Sequence, residues 1–295
     1  MQVIKPIPYQ ESQLISSSAV EVVALYVAGT TYALNDIVRY NSRLYTSLVA
    51  SNVGNQPDIS PTKWLDSGPD NKHAMFDNNV GTATTATSPL VVVNKPGVVF
   101  NSLAYLNLTG TSLNVKVQNN TGGPEVFNRT IPLDDTSILD WYMYYFEPYD
   151  LLTEVVITDI PPYTNGVITT TLTGTSAVQI GSIIYGTVYK IGGTQYGASV
   201  GIKDYSVKNT DDFGNTTFVQ RAFSKRMDAE IYVDSERLNF NYKLLSELRA
   251  IPSVWIGSED VQYKSLIVFG YYRDFNVTIR YPTYSLCSLQ IEGLT

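Results

Sequence analysis

The stretch that decides the fold of the N-terminal part reads YALNDIVRYNSRLYTSLV over residues 32–49. Within it, Ile37 and Arg39 alternate with Val38 and Tyr40. Successive side chains of a strand point to opposite faces of a sheet, so this alternation predicts a short strand with one side facing a core. The polar pair before Ile37 is a turn signal and marks where the strand begins.

A second strand is predicted over residues 44–49, after a turn at Asn41-Ser42. A unit this small buries little surface, so its aromatic rings have to supply most of its core. We therefore predict a small β module over residues 31–70. The aromatic residues available for its core are Tyr32, Tyr40, Tyr45 and Trp64.

The same segment continues through Pro57 and Gly68-Pro69 to Ala74-Met75-Phe76-Asp77. In this order of residues it resembles the small chitin-binding-type module of polysaccharide-degrading enzymes, which also recurs in bacteriophage tail proteins. The resemblance implies that aromatic rings on the module surface stack on sugar rings. The alternative is that the same rings form the core of the module or dock it against the next domain. The candidate carbohydrate-binding residues are Tyr40, Tyr45 and Trp64.

The composition favours a folded, mostly β protein. Hydrophobic residues make up 44% and charged residues 16% of the 295 residues, and 22 residues are tyrosines. A charged fraction below the usual quarter, combined with many Thr, Val and Tyr residues, is typical of β structure and argues against disorder. Two or three domains are expected at this length.

The net charge of −7 argues against nucleic-acid binding, because a general footprint on phosphates requires an excess of Lys and Arg. No apolar run is long enough to span a membrane, so no membrane insertion is predicted. The single cysteine, Cys287, cannot form an intrachain disulfide and is expected to be a buried strand residue. Since no signal-peptide core follows Met1, folding in a reducing cytoplasm is expected.

Residues 1–30 open with an extended segment in which Pro6 and Pro8 remove backbone donors. Apolar residues follow without an evident core of their own. Residues 1–30 are therefore predicted to be a docking arm that packs on the next module or on a neighbouring subunit. This opening, followed by the small module, also resembles the N-termini of phage tail and fibre proteins. The resemblance implies a virion protein of a phage tail, made in the host cytoplasm.

Residues 71–187 are predicted to form a β-sandwich of the jelly-roll type. Short apolar segments recur there at near-regular spacing and are separated by turns rich in Gly, Pro and Asn. In one segment Leu113, Val115 and Val117 alternate with polar residues, as expected of a strand with one solvated face. The aromatic stretch at residues 139–146 is predicted to be another of these strands.

Residues 188–295 are predicted to form a β-rich domain with one helix. The helix is predicted over residues 235–249, because apolar residues recur there at helical spacing and Pro252 follows. The remaining segments read as short strands. The residues on the apolar face of the helix are Leu238, Tyr242, Leu245 and Leu248.

The sequence contains no motif for catalysis or for a cofactor. His73 is the only histidine and lies far from Cys287 in sequence, whereas metal sites and nucleophile–base pairs draw on clusters of such residues. We therefore predict no enzyme activity, no cofactor and no metal, and expect His73 to face solvent or an interface. The run Asp77-Asn78-Asn79 offers oxygen ligands for calcium, but such runs more often form turns without metal.

One group of acids leaves a catalytic alternative open, because paired carboxylates beside stacking rings can hydrolyse glycosides. These acids surround the aromatic run WYMYYF at residues 141–146. Acids at strand ends also keep β proteins soluble, and Trp141, Tyr142 and Tyr144 are predicted to be core or subunit-contact residues. The acids are Asp134, Asp135, Asp140, Glu147 and Asp150.

Composition and resemblance together favour a structural virion component of a phage tail, baseplate or collar. It would act by assembling into a homo-oligomer and docking to other tail proteins, a role that suits the high tyrosine content because Tyr is enriched at interfaces. A carbohydrate-binding adhesin that contacts host cell-surface polysaccharide is the first alternative. A glycoside-cleaving depolymerase is the second.

Overall fold

The computed structural model of the protein describes residues 1–79, 81–134, 140–146, 150–210, 212–258, 261–279 and 281–294. Over these residues the protein is mostly β, as its composition predicts. The strands, numbered in chain order, are β1 Gln2–Pro6, β2 Leu14–Ser17, β3 Ile37–Tyr40, β4 Arg43–Ser47, β5 Trp64–Pro69, β6 Thr84–Thr87, β7 Leu90–Asn94, β8 Ser102–Thr109, β9 Ser112–Gln118, β10 Glu125–Pro132, β11 Glu154–Ile157, β12 Val167–Thr173, β13 Ala177–Lys190, β14 Gly193–Thr194, β15 Ser199–Asp204, β16 Val207–Thr210, β17 Thr216–Val219, β18 Phe223–Asp234, β19 Ser253–Ile256, β20 Ile267–Thr278 and β21 Tyr284–Gly293.

Helices are few and short in the described part of the chain. Helix α1 comprises Trp141–Phe146, and helix α2 comprises Leu238–Glu247. None of the described helices has the length and apolarity that crossing a bilayer requires. The 3-10 turns are Glu11–Gln13, Pro57–Ile59, Ala74–Phe76, Ser235–Arg237 and Val261–Leu266.

The small module is a three-stranded antiparallel sheet in the order β3-β4-β5. The β3–β4 connection is the two-residue turn Asn41-Ser42, in which both residues have positive φ, 48° and 59°. Two-residue hairpin loops favour this geometry because its twist matches that of the flanking strands, and Asn adopts it readily. The hairpin predicted from the sequence is thereby confirmed.

The sandwich holds its core between two sheets. One sheet has the order β10-β9-β12-β7-β2, and the other contains β11, β8, β13 and β6. In β9, Leu113, Val115 and Val117 are fully buried, whereas the residues between them are partly exposed, so the predicted alternation is confirmed. The larger side chains of this core include Leu90, Phe100, Leu103, Tyr105, Leu133, Ile157 and Tyr185.

Strand β1 lies inside a sheet of eleven strands and joins the sandwich to the C-terminal domain. On one side it pairs with β13, where Gln2 lies opposite Lys190, and on the other with β19, where Gln2 lies opposite Ile256. Val3 and Ile4 are both fully buried, because a central strand in this position is covered on both faces.

The structure thus places the start of the predicted docking arm within the body of the protein. The 3-10 turn that follows β1 is held there as well, since the Gln13 side chain accepts a hydrogen bond of 2.6 Å from the Tyr185 hydroxyl, 172 residues away. The sequence suggested an arm because the apolar residues of this segment have no partners nearby in the chain. Their partners lie in strands that the chain forms much later.

The C-terminal domain extends the large sheet through β19, β20, β21 and β18, with α2 packed on one face. Leu244, Leu245 and Leu248 face a core that includes Val3 and Trp255. The helix therefore lies within the predicted range. Of the residues assigned to its apolar face, however, Tyr242 is 63% exposed.

The large sheet curls until its two ends meet. Oε1 of Glu154 in β11 lies 2.5 Å from Nζ of Lys225 in β18, although six strands separate β11 from β18 in the order of the sheet. Strong twist accumulates in sheets with many strands and produces such curvature. The side chains buried together within the curl are Ile4, Ala104, Leu106, Ile184, Val254, Ile256 and Phe269.

Candidate interaction surfaces

Two of the three predicted carbohydrate-binding residues lie inside the small module. Tyr45 is 6% exposed and Trp64 is 2% exposed. The indole Nε1 of Trp64 donates a hydrogen bond of 2.8 Å to the carbonyl oxygen of Asn55, which satisfies its one polar group. Neither ring presents a face on which a sugar could stack, so these two assignments are corrected by the structure.

Tyr40, the third predicted residue, is partly buried and belongs to the same aromatic cluster. Its ring meets the Tyr26 ring edge-to-face, with centroids 5.8 Å apart, and Tyr26 in turn contacts Tyr32 and Trp64. Edge-to-face pairs stabilise a core beyond the area that they bury. The rings of this module act as its core, which is the alternative that the sequence left open.

Aliphatic residues, not aromatic ones, are exposed on the other side of this sheet. Leu25, Ile37 and Leu65 are 61%, 52% and 54% exposed and define the outer face of the small module. Ile37 in β3 and Leu65 in β5 both pair with Thr46 in β4, so the three residues lie in one row across the sheet. Sequence analysis missed this face, although the adjacent apolar pairs Ile37-Val38 and Trp64-Leu65 signal strands that are apolar on both sides.

A buried carboxylate lies where the small module joins the sandwich. Asp70 is 1% exposed, and its Oδ1 lies 2.5 Å from Nδ1 of His73 while its Oδ2 lies 3.5 Å from Nη1 of Arg39 in β3. Burial opposes ionisation of Asp70, but the hydrogen bond and charge of His73 and the charge of Arg39 outweigh it and hold the pKa of Asp70 below its usual value. His73 is thus an interface residue.

Helix α1, Trp141–Phe146, corrects the prediction of a strand over most of residues 139–146, of which residue 139 lies outside the described part of the chain. The Asp140 carboxylate accepts a hydrogen bond of 2.8 Å from the backbone N–H of Met143, so Asp140 is the N-cap of the helix. Residues four apart then pair on the helix surface, with ring centroids 6.4 Å apart for Trp141 and Tyr145 and 5.0 Å apart for Tyr142 and Phe146. Capping and these pairs outweigh the β propensity of aromatic residues.

The rings of α1 lie on the surface and not in the core. Trp141, Tyr142, Tyr145 and Phe146 are each between 68% and 77% exposed, and Tyr144 is 52% exposed. Exposed aromatic clusters of this kind mark interaction sites on soluble proteins. The assignment of these residues to a core is thereby corrected, and their assignment to a subunit contact stays a prediction.

The five acids proposed around this aromatic run do not all fall in the described part of the chain. Asp135 and Glu147 lie outside it. Asp140 serves as the helix cap, and Asp134 forms an isolated bridge with Leu151. The Asp140 carboxylate is therefore engaged in local structure at the base of α1.

A β-hairpin at the edge of the C-terminal domain is the third exposed surface. Strands β16 and β17 pair only with each other among the described strands, and their residues are almost all exposed. At the base of this hairpin, Ile202, Phe218 and Phe223 are 70%, 73% and 54% exposed and line a shallow cleft. An isolated two-stranded hairpin is marginally stable in water, so its surface is suited to a partner.

A cleft of about 290 Å³ lies between the two ends of the curled sheet. Its walls are mainly apolar and include Leu106, Phe223 and Phe269, and the Glu154–Lys225 ion pair is its charged part. Opposite charges 2.5 Å apart largely neutralise each other. The ion pair joins the two ends of the sheet at this position.

Asp77 and Cys287, the remaining candidate residues, lie in surroundings that indicate structural roles. The Asp77 carboxylate accepts hydrogen bonds from the backbone N–H of Asn79 and the Thr82 hydroxyl, at 2.9 Å and 2.6 Å, as in a turn. Within the described ranges, no group of three or more His, Cys, Asp or Glu side chains is placed to hold a metal ion. Cys287 is buried as predicted, and burial raises the pKa of its thiol to about 11.

Comparison with known proteins adds no functional information, so the surfaces described above are the basis for a functional assignment. No family model matches the chain, and no curated protein or solved structure is significantly similar to it.

Proposed function

We propose that this protein is a structural component that acts by assembly, docking to other protein molecules through uncovered apolar surfaces. The observation that carries the proposal is α1, a helix whose five aromatic rings are all at least 52% exposed. Burial of these rings under a partner is favourable, by about 25 cal/mol per Å² of apolar surface that the partner covers. A partner therefore stabilises α1 in a way that the chain alone does not.

Two further surfaces support the same role, namely the outer face of the small module and the hairpin β16–β17. They lie on different domains, so the chain offers contacts to several neighbours at once, as a component of a larger particle requires. The resemblance of the N-terminal segment to phage tail proteins suggests which particle this is. On that basis the protein is a virion component of a phage tail, baseplate or collar.

Incorporation into particles tests this proposal. The chain is supplied in trans to a phage that lacks its own copy, either as wild type or as the double variant Trp141→Ser/Tyr145→Ser, and purified particles are analysed for it. We expect the wild type to be incorporated and the double variant to be lost. Tyr196→Ser is the matched control, since Tyr196 is a fully exposed tyrosine outside α1. Absence of the wild-type chain from purified particles would overturn the proposal.

Carbohydrate binding is a second candidate function, and one observation favours it. The rings of Trp141 and Tyr145 are 77% and 68% exposed, so each offers an aromatic platform on which a sugar ring could stack. A glycan array probed with the wild type, with Trp141→Ala and with the control Tyr196→Ala tests it. Binding that survives Trp141→Ala would exclude this platform as the binding site.

A further inference from the structure

The outer edge of strand β15 is unpaired among the strands that the structure describes. β15 pairs with β18 on one side only, and all six of its residues are exposed. Proteins protect such edges with prolines, bulges or outward-pointing lysines. β15 contains no proline, and its one lysine, Lys203, is held by the Glu292 carboxylate at 2.6 Å. The edge is therefore open to another strand.

The ladder with β18 determines which backbone groups of β15 point outward. Just beyond the strand, the Tyr205 N–H donates to the Ala222 carbonyl at 3.2 Å, in the same register as the β15–β18 pairs. Hydrogen-bonded and non-hydrogen-bonded pairs alternate along an antiparallel ladder. The N–H and C=O groups that point to the free edge are consequently those of Val200, Ile202 and Asp204.

We propose that β15 pairs with β15 of a second copy of this chain, antiparallel about a two-fold axis at Gly201. In this register Val200 of each copy lies opposite Ile202 of the other, and both have outward-pointing backbone groups, so the two pairs exchange four hydrogen bonds. Each pair also joins two aliphatic side chains that are 41% and 70% exposed in the single chain.

Charge and shape favour a second copy as the occupant. Lys203 of one copy lies opposite Ser199 of the other, so no like charges face each other across the interface. Gly201 sits on the axis, where its lack of a side chain lets the two backbones approach. Shifting the register by one residue in each strand places Val200 opposite the Asp204 carboxylate, which is a poorer pair. The contact is isologous, as in most homodimers.

Disulfide trapping of the full-length chain tests this register. On the two-fold axis the Gly201 residues of the two copies face each other as a non-hydrogen-bonded pair. The Cα atoms of such a pair lie about 4.5 Å apart, which suits a disulfide. A Cβ added at Gly201 meets no atom within 4 Å, so Gly201→Cys is tolerated by the fold. We expect this variant to form a covalent dimer under a mild oxidant.

Two controls accompany the trapping experiment. In Ser199→Cys the two thiols lie four residues apart along the strands, about 13 Å, which is too far for a disulfide. The wild type controls for Cys287, which is buried. Failure of Gly201→Cys to cross-link, or equal cross-linking of Ser199→Cys, would overturn the proposed register.

A proline variant tests the pairing without a cysteine. Ile202→Pro removes an N–H that points to the free edge and costs no bond within the chain, and proline is accommodated at edge strands. Sedimentation velocity is expected to show a dimer for the wild type, and a dissociation constant at least about tenfold higher for Ile202→Pro, since two interfacial donors are lost. A wild-type protein that is monomeric at every concentration would contradict the inference.

This inference rests on the proposed function only in taking the protein to act by assembly. A monomeric chain that is still incorporated into particles would overturn the β15 pairing and leave the proposed function standing. A chain that dimerises through β15 but is absent from particles would do the reverse.

Discussion

Asp70 shows how a single buried charge ties two domains together. Its carboxylate lies within reach of His73 and Arg39, and its backbone N–H donates to the Ser42 carbonyl in the turn of the small module at 3.0 Å. A buried ionised group is tolerated only with such partners, because its desolvation is otherwise costly. The carboxylate is therefore a specific link between module and sandwich.

Stability is expected to depend on pH through Asp70. Its pKa in the folded protein lies below the unfolded value of about 3.9, so its contribution is present above about pH 4 and is lost as the pH falls through the folded pKa. Asp70→Asn should lower the free energy of unfolding by about 2 kcal/mol at neutral pH and flatten its acid dependence. Urea unfolding at a series of pH values measures both. Asp58→Asn, on the exposed side of the module, is the control, and equal profiles for the two variants would contradict the expectation.

Trp64 is expected to matter for stability and not for sugar binding. Trp64→Ala removes the largest ring of the small core and leaves a cavity, at a cost of about 3–5 kcal/mol. The neighbouring Leu65→Ala, on the exposed outer face, should cost less than about 0.5 kcal/mol. Limited proteolysis within residues 31–70 is the measurement, with faster cleavage expected only for Trp64→Ala. Similar cleavage of both variants would show that the ring is not a core residue.

At the scale of single elements, α1 and α2 differ in what stabilises them. In α2, Leu244 and Leu245, together with Leu248 at the C-cap, bury an apolar face against the large sheet. Helix α1 has no buried residue among those described, and its stability comes from the Asp140 cap and from ring pairs along its surface. A short helix stabilised only by local contacts is marginal in water, which is consistent with a partner.

The surface position of α1 predicts that its rings contribute little to the stability of the free chain. Trp141→Ser/Tyr145→Ser should change the free energy of unfolding by less than about 0.5 kcal/mol. Leu133→Ala, at a fully buried residue before α1 in the chain, should cost about 2–5 kcal/mol. Urea unfolding followed by far-ultraviolet circular dichroism compares them. A large loss in the double variant would place these rings in a core.

At the scale of the whole molecule, β1 couples the two larger domains. The strand completes the sheet between β13 and β19, and its residues Val3 and Ile4 face different cores. Loss of β1 would expose unpaired edges and apolar surface in both domains at once. We therefore expect the sandwich and the C-terminal domain to unfold as one cooperative unit.

Ile4→Ala tests this coupling. The substitution leaves a cavity at a fully buried residue and should cost about 3 kcal/mol. Hydrogen exchange is expected to become faster in β8 of the sandwich and in β20 of the C-terminal domain to a similar extent, while β3 and β4 of the small module are unaffected. Acceleration confined to one of the two larger domains would show that they open independently.

The sequence alone determined those features that depend on neighbouring residues. The turn at Asn41-Ser42, the alternation at Leu113, Val115 and Val117, and the location of α2 all follow from local periodicity, turn chemistry and an apolar stripe. The mostly β character likewise follows from composition. In these cases the signal and the structure lie within a few residues of each other, so no knowledge of the rest of the chain is needed.

The tertiary structure alone decided which strands pair and which apolar residues stay in water. Val3 is paired with Tyr189 and Trp255, which no local pattern indicates, and this pairing makes the N-terminal segment a central strand. Trp64 is buried and Trp141 exposed, although both lie in aromatic surroundings. The physical reason is that burial depends on contacts between segments distant in sequence, and a strand or helix does not encode which of its apolar faces the rest of the chain will cover.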